Sequence, residues 1–286
     1  MQTLLRNLKD IGLSLSATST TQSKGRIRLA KAGADLGEGL RRWELWGALG
    51  WHDIRQRYRR STLGPFWITL SMGTMVGALG FVYAELFGQK ISDYLPFLAL
   101  GLIVWGLISN PILDGCNVFI GSEGVIRQLR APLSVHVFRM MWRNVVIFAH
   151  NLVIYVVLLV AFGIWPGATA LLAIPGMLIL CLIGVWTGLL AGLLSARFRD
   201  IPYMTGSVVQ ILFLVTPILW SVDQLSSKIV VELNPFYHLI EIVRLPLLGR
   251  VPPLSSWLVA LAVTALGYLV TLGFFVRFRE RIAYWI

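Results

Sequence analysis

Charge is what this sequence has least of. Only 14% of its 286 residues are Asp, Glu, Lys or Arg, where a soluble domain carries about a quarter. Hydrophobic residues make up 56%, and they gather into runs that reach the roughly 20 residues a helix needs to cross about 30 Å of hydrocarbon. An ordinary soluble domain is thereby excluded. Cysteine is nearly absent: Cys116 and Cys181 both fall inside apolar runs, as packing residues do, and make no disulfide framework or metal set. The chain also lacks HExxH, CxxC, GxSxG and the GxxxxGK[ST] phosphate loop. If ATP drives this protein, another chain hydrolyses it. No secretory leader is expected, because the first run of spanning length begins only near Phe66.

Acidic residues are scarcer than basic ones, 14 against 25, giving a net charge of +11. Such an excess suits a nucleic-acid binder if the cations form one basic domain. Here they punctuate apolar spans, so no nucleic-acid partner is expected. The pattern gives six transmembrane helices, over 66–87, 95–120, 142–163, 168–194, 204–222 and 257–277. All of the 25 Lys and Arg except Lys90, Lys228, Arg244 and Arg250 then fall on one side. By the positive-inside rule that side, with both termini, is cytoplasmic.

Ahead of the spans, residues 1–36 read as a flexible cytoplasmic tail rich in Ser, Thr, Lys and Arg. Over 37–62, Leu40, Trp43, Trp46, Leu49, Ile54 and Tyr58 recur at helical spacing, with Arg55, Arg57, Arg59 and Arg60 toward the end. This predicts an amphipathic helix at the cytoplasmic interface, with a soluble core helix as the alternative. Residues 63–286 form the membrane domain. Between spans five and six, Asn234–Leu248 is apolar but interrupted by Pro235 and Pro246, too short for a seventh crossing. It predicts one or two short re-entrant helices that dip into the outer leaflet, covered by protein or lining a wet cavity.

Polar groups at membrane depth are few: Asn110, Asp114 and Asn117 on span two, Asn144, His150 and Asn151 on span three, and Gln210 on span five. No carboxylate chain crosses the bilayer as a proton relay would, and Asp114 with His150 reads as an interhelical pair. Gly184, Gly188 and Gly192 on span four, and Gly73 and Gly77 on span one, allow close helix crossing. Trp67, Phe81, Tyr83, Phe97, Trp105, Phe213 and Trp220 are either interfacial belts and packing or a corridor on which sugar rings slide.

Several motifs occur in order. RYRRSTLGPFW at 57–67 follows the amphipathic helix; Arg130-Ala131-Pro132-Leu133 lies in the first inner loop; ARFRDI occupies 196–201; TPILW at 216–220 precedes Asn234-Pro235-Phe236. Together they resemble permeases of type-2 ABC exporters, above all those for O-antigen, capsule or teichoic acid polysaccharide, over residues 38–286. The resemblance implies an all-α integral membrane fold and a homodimer joined to two copies of a separate ABC ATPase, which binds ATP and Mg. This chain would then be no enzyme and hold no cofactor, and would sit in the bacterial cytoplasmic (inner) membrane. Its substrate would be a lipid-linked polysaccharide, O-antigen first and capsule next. Carried onto this sequence, the coupling surface is Trp46, Asp53, Arg55, Arg57 and Arg60 with Arg127, Arg130, Arg197, Arg199 and Asp200. The path would lie on spans one, two and five, past Trp67, Phe81, Tyr83, Phe97, Trp105, Gln210, Phe213 and Trp220. The other readings are an exporter of small drugs or lipids, and a membrane transferase acting on lipid-linked sugars, which would need clustered carboxylates near one face.

Overall fold

The computed structural model describes residues 25–57, 59, 63–64, 66–128, 131–224 and 228–286. The tail before residue 25, Arg60 and Arg130 lie outside them. The described residues are helical, without strands: α1 over 25–41, α2 (Trp43–Arg57), α3 (Phe66–Leu86), α4 (Ile91–Cys116), α5 (Glu123–Gln128), α6 (Ser134–Phe162), α7 (Ala173–Arg197), α8 (Ile201–Val215), α9 (Ile229–Glu232), α10 (Pro235–Leu247), α11 (Leu254–Phe278) and α12 (Ile282–Trp285). Five segments, containing α3, α4, α6, α7 and α11, are long and apolar enough to cross a membrane, and α8 is a shorter apolar helix.

The central helix is α4, buried along most of its length from Tyr94 to Cys116, whereas α3 buries only Val76, Gly80 and Ala84. Where α4 crosses α7 at Gly115 and Gly188 there is no room for a side chain. A Cβ on Gly115 would stand 2.5 Å from the backbone of Gly188, and one on Gly192 would meet Val118 and Phe119. The span-four glycines therefore seat α7 on α4 and α6, as small residues do where lipid gives no hydrophobic drive. Gly77 on α3 has nothing within 4 Å of its Cβ position.

Sequence boundaries move at both the tail and the fifth span. The expected tail reached residue 36, but residues from 25 onward are helical. Ala32, Asp35, Leu36 and Gly39 form the packed stripe of α1, on the i, i+3, i+4, i+7 spacing of an amphipathic helix; three of the four are Ala, Gly or Asp, so hydrophobicity did not mark it. The fifth span was expected to reach 222 but α8 ends at Val215. Thr216 is extended (φ −87°, ψ 136°), the conformation forced on a residue before proline, here Pro217. At 15 residues, α8 covers about 22 Å at 1.5 Å per residue.

The re-entrant segment is deeply buried: Leu239, Ile240, Ile242 and Val243 on α10 are at most 2% exposed. Asn234 caps α10 by accepting from Phe236 N–H at 3.0 Å and donates to Thr216 at 3.0 Å. Arg244, placed by the sequence reading among the outer cations, is 1% exposed. Its guanidinium pairs with buried Glu241, donates to the Pro217 carbonyl at 3.0 Å and lies 4.0 Å from the Phe97 ring centroid. The i, i+3 spacing on one helix lets the carboxylate neutralise the guanidinium, which is how an arginine can be buried at all. Removing one partner leaves a buried charge, so Arg244→Met is expected to cost about 3–5 kcal/mol, and the double change with Glu241→Met to recover part of it. Thermal unfolding in detergent checks this; equal loss in single and double variants contradicts the pairing.

Candidate functional site

At the end of the bundle that holds most of the Lys and Arg, the short helices are fastened to the spans by carboxylates. Asp35 of α1, 3% exposed, accepts from the N–H groups of Leu133 at 3.1 Å and Ser134 at 3.0 Å. Those are free donors at the start of α6, so Asp35 caps a helix that its own sequence neighbourhood leaves uncapped. The same carboxylate takes Arg279 Nε at 2.8 Å, and Ser134 Oγ donates back to the Asp35 carbonyl at 2.7 Å. One buried side chain thus joins α1, the end of the first basic loop and the segment after α11. Lys31 pairs with Glu280 at 2.8 Å beside it.

A second set joins α2 to α4 and α6. Asp53 takes Arg139 Nε at 2.7 Å, and Arg143 donates to Asp114 at 2.7 Å. Asn144 also donates to Asp114, at 3.0 Å. Asp114 is therefore not paired with His150, whose Nδ1 lies 2.8 Å from the Val146 carbonyl. The third span was expected to begin at residue 142; α6 begins eight residues earlier, at Ser134, and carries Arg139 on the same helix as Arg143.

The expected coupling residues divide accordingly. Trp46 packs on Phe138 and Trp142, both ring centroids at 6.1 Å, and Asp53 is held by the arginines, so both fasten α2. Arg55 and Arg57 are exposed on α2. Arg127, Arg197, Arg199 and Asp200 are exposed on the two loops, and the three arginines converge on the last residues. Arg127 donates to the Ile286 carbonyl at 2.5 Å and Arg199 to that of Trp285 at 3.4 Å. The Arg197 guanidinium sits 5.7 Å from the Trp285 ring centroid. This gathering of two loops around α12 had no signal in the spacing of the arginines.

The path candidates divide too. Trp67 and Phe81 on α3 are 52% and 69% exposed, and Gln210 on α8 is exposed. Trp105, 8% exposed, is packed inside, its ring centroid 5.9 Å from those of Phe213 and Phe236. Tyr83, Phe97 and Trp220 are half-buried. Tyr83 stacks on Phe87 at 5.6 Å, and Trp220 Nε1 lies 3.5 Å from the Leu214 carbonyl. Among the described residues no three His, Cys, Asp or Glu side chains come together as metal ligands.

The family model for the ABC-2 type transporter matches residues 44–248. The chain belongs to that family. Of curated proteins, an O-antigen export system permease protein, RfbA, of Myxococcus xanthus is 22% identical over 191 residues, 65% of this chain and 74% of the relative. One of the same name from Klebsiella pneumoniae is 24% identical over 191 residues, 66% of this chain and 74% of the relative. The match to the family takes in α2 through α10 and both basic loops, while Asp35 and Arg279 fall outside it.

Those two residues give a local test. Asp35→Ala leaves the first N–H groups of α6 and Arg279 without a partner and is expected to destabilise the protein by about 1–2 kcal/mol. Gly37→Ala, at an open position on the same helix, is expected to cost nothing. Equal thermal unfolding of the two variants contradicts the role assigned to Asp35.

Proposed function

We propose that the chain is the membrane-spanning permease subunit of an ATP-driven exporter that carries a lipid-linked polysaccharide, O-antigen, outward across the bacterial cytoplasmic membrane. The match of residues 44–248 to the ABC-2 type transporter family, with relatives named as O-antigen export permeases, carries this reading. In it the chain acts as a homodimer with two copies of a separate ABC ATPase. That ATPase binds ATP and Mg; this chain has no phosphate loop of its own. Both termini and the basic end are cytoplasmic, in keeping with the charge distribution.

The chemistry asked of the permease is mechanical. Arg55 on α2, with Arg127, Arg197, Arg199 and Asp200 on the loops, presents exposed charge to the ATPase, and Arg57, Arg60 and Arg130 belong to the same segments. When the ATPases close on ATP they push on this surface. The pairs Asp53–Arg139 and Arg143–Asp114 make α2, α6 and α4 move together, so a push on α2 tilts spans instead of bending a loop. At the opposite end the buried pair of Arg244 and Glu241 holds α10 to the turn after α8.

The exposed faces of α3 and α8 border the channel between the two copies. Trp67, Phe81 and Gln210 meet the sugar there. Aromatic faces bind the CH faces of pyranose rings without the strong hydrogen bonds that would trap a moving polymer. Tyr83, Phe97 and Trp220 line its outer part, and Trp105 with Phe213 supports the wall from behind.

Two outcomes follow. Trp67→Ala and Phe81→Ala, both at exposed positions, are expected to lower export while leaving the amount of protein unchanged. Trp105→Ala, which empties a packed site at a cost of about 3–5 kcal/mol, is expected to lower both. Immunoblots alongside surface polysaccharide staining separate the two; matched losses at Trp67 and Phe81 would make them packing residues. The assembly itself is tested by isolating the tagged full chain from its own cells. An ABC ATPase in equal amount is expected, and turnover of a lipid-linked sugar by the isolated chain would make it a transferase instead.

A further inference from the structure

Between α2, the end of α4 and the start of α6 lies a cavity of about 500 Å³, and the reading above leaves it without a use. Its charged lining is mixed: Arg57, Arg139 and Arg143 against Asp53 and Asp114. Arg139 is committed to Asp53. Arg143 is only partly spent: its Nη2 reaches Asp114 at 2.7 Å, but its Nη1 stands 3.7 Å from Asp53, beyond hydrogen-bond reach. Its Nε is buried without a partner. His136, 4% exposed, lies in the same wall, and its Nδ1 is also buried without a partner. Arg57 has no ion-pair partner among the described residues.

A polar cavity whose lining holds an arginine without an ion-pair partner suits an anionic occupant, which would supply the missing charge-assisted contact. The arginines and aspartates of the lining leave one positive charge over. A phosphodiester carries one negative charge, whereas a phosphomonoester carries closer to two at neutral pH. The rest of the wall mixes polar Gln56, Asn117 and Ser122 with buried Val118 and Met140, as the junction of a polar head group with an apolar chain would need. The cavity lies where α4 ends and α6 begins, at the basic end of the spans, which the proposed topology puts at the level of the cytoplasmic head groups.

We propose that this cavity binds the phosphodiester head group of a membrane phospholipid, one per chain, with Arg57 and Arg143 on the phosphate and His136 beside it. The lipid joins α2 to α4 and α6 alongside the Asp53 and Asp114 pairs. The site requires a membrane-embedded chain and is independent of which substrate is exported.

Native mass spectrometry of the full chain, released gently from micelles, tests this. The wild-type chain is expected to retain one phosphatidylglycerol or phosphatidylethanolamine and to take none of a diacylglycerol, which lacks the phosphate. Arg57→Gln is expected to lower retention about tenfold, as the loss of one charge-assisted contact would. Gly121→Phe, at a cavity-lining position with open space around it, should block the site without removing charge. Arg55→Gln, on the same helix and outside the cavity, should leave retention unchanged. The proposal is overturned by equal retention in wild type, R57Q and G121F, by diacylglycerol binding as well as phospholipid, or by displacement with inorganic phosphate. It also falls if R57Q loses the ATPase while keeping its lipid, because the cavity is then a protein-docking site.

Discussion

Hydrocarbon offers a backbone no hydrogen-bond partner, so every turn made inside the membrane must find its partners in protein. In this chain the constraint falls on the segment after α8. Pro217 ends that helix early, and the carbonyls of Pro217 and Leu219 are left facing the interior. Arg244 takes the first at 3.0 Å and the Tyr94 hydroxyl takes the second at 2.5 Å. Asn234 ties Thr216 to the start of α10, and His238 bridges the Glu232 carbonyl at 2.8 Å and Ser256 at 2.9 Å. A broken helix can sit among spans because these four side chains close its open backbone groups and its turns. The buried position of α10, and through it the packing of α4, α7 and α11, follows from them.

The basic end obeys the same rule with charge in place of carbonyls. Acidic residues are scarce, and three of them, Asp35, Asp53 and Asp114, each hold an arginine of another segment, Asp35 also capping α6. Their distribution leaves the loops with a positive excess, Arg127, Arg197 and Arg199 against Glu123 and Asp200, while the helices behind them are bolted together. Such a surface suits a partner that pushes, because displacement of α2 or of the first loop reaches α4 and α6 through short ionic contacts. Trp46, set between Phe138 and Trp142, adds packing to the same joint.

The long helices were legible in the sequence because hydropathy over about 20 residues is a strong signal, and the proline-broken outer segment because Pro235 and Pro246 punctuate it. What escaped was long-range pairing. Nothing in the residues around Asp35 says that it caps a helix a hundred positions away, and the packed stripe of α1 is too small and polar to stand out from a solvated tail. Arg244 read as a loop cation because the side chains that bury it, Glu241 aside, lie far off in sequence at Phe97 and Pro217. Of the aromatics proposed for the path, Trp105 turned out to be packed against Phe213 and Phe236, a distinction between wall and lining that spacing along one helix cannot make. The family match reads the middle of the chain and stops short of both residues of the Asp35–Arg279 tie.

The claim that this chain conducts a polysaccharide under the power of a separate ATPase is tested most directly by reconstitution. Vesicles holding the chain with its co-isolated ATPase would be loaded with lipid-linked glycan, and the glycan crossing to the far side measured by its exposure to an impermeant glycosidase. The account predicts crossing that requires ATP and both proteins, and that fails with either alone. Crossing by the chain without the ATPase, or ATP-driven crossing of small hydrophobic compounds but not of the glycan, would contradict it.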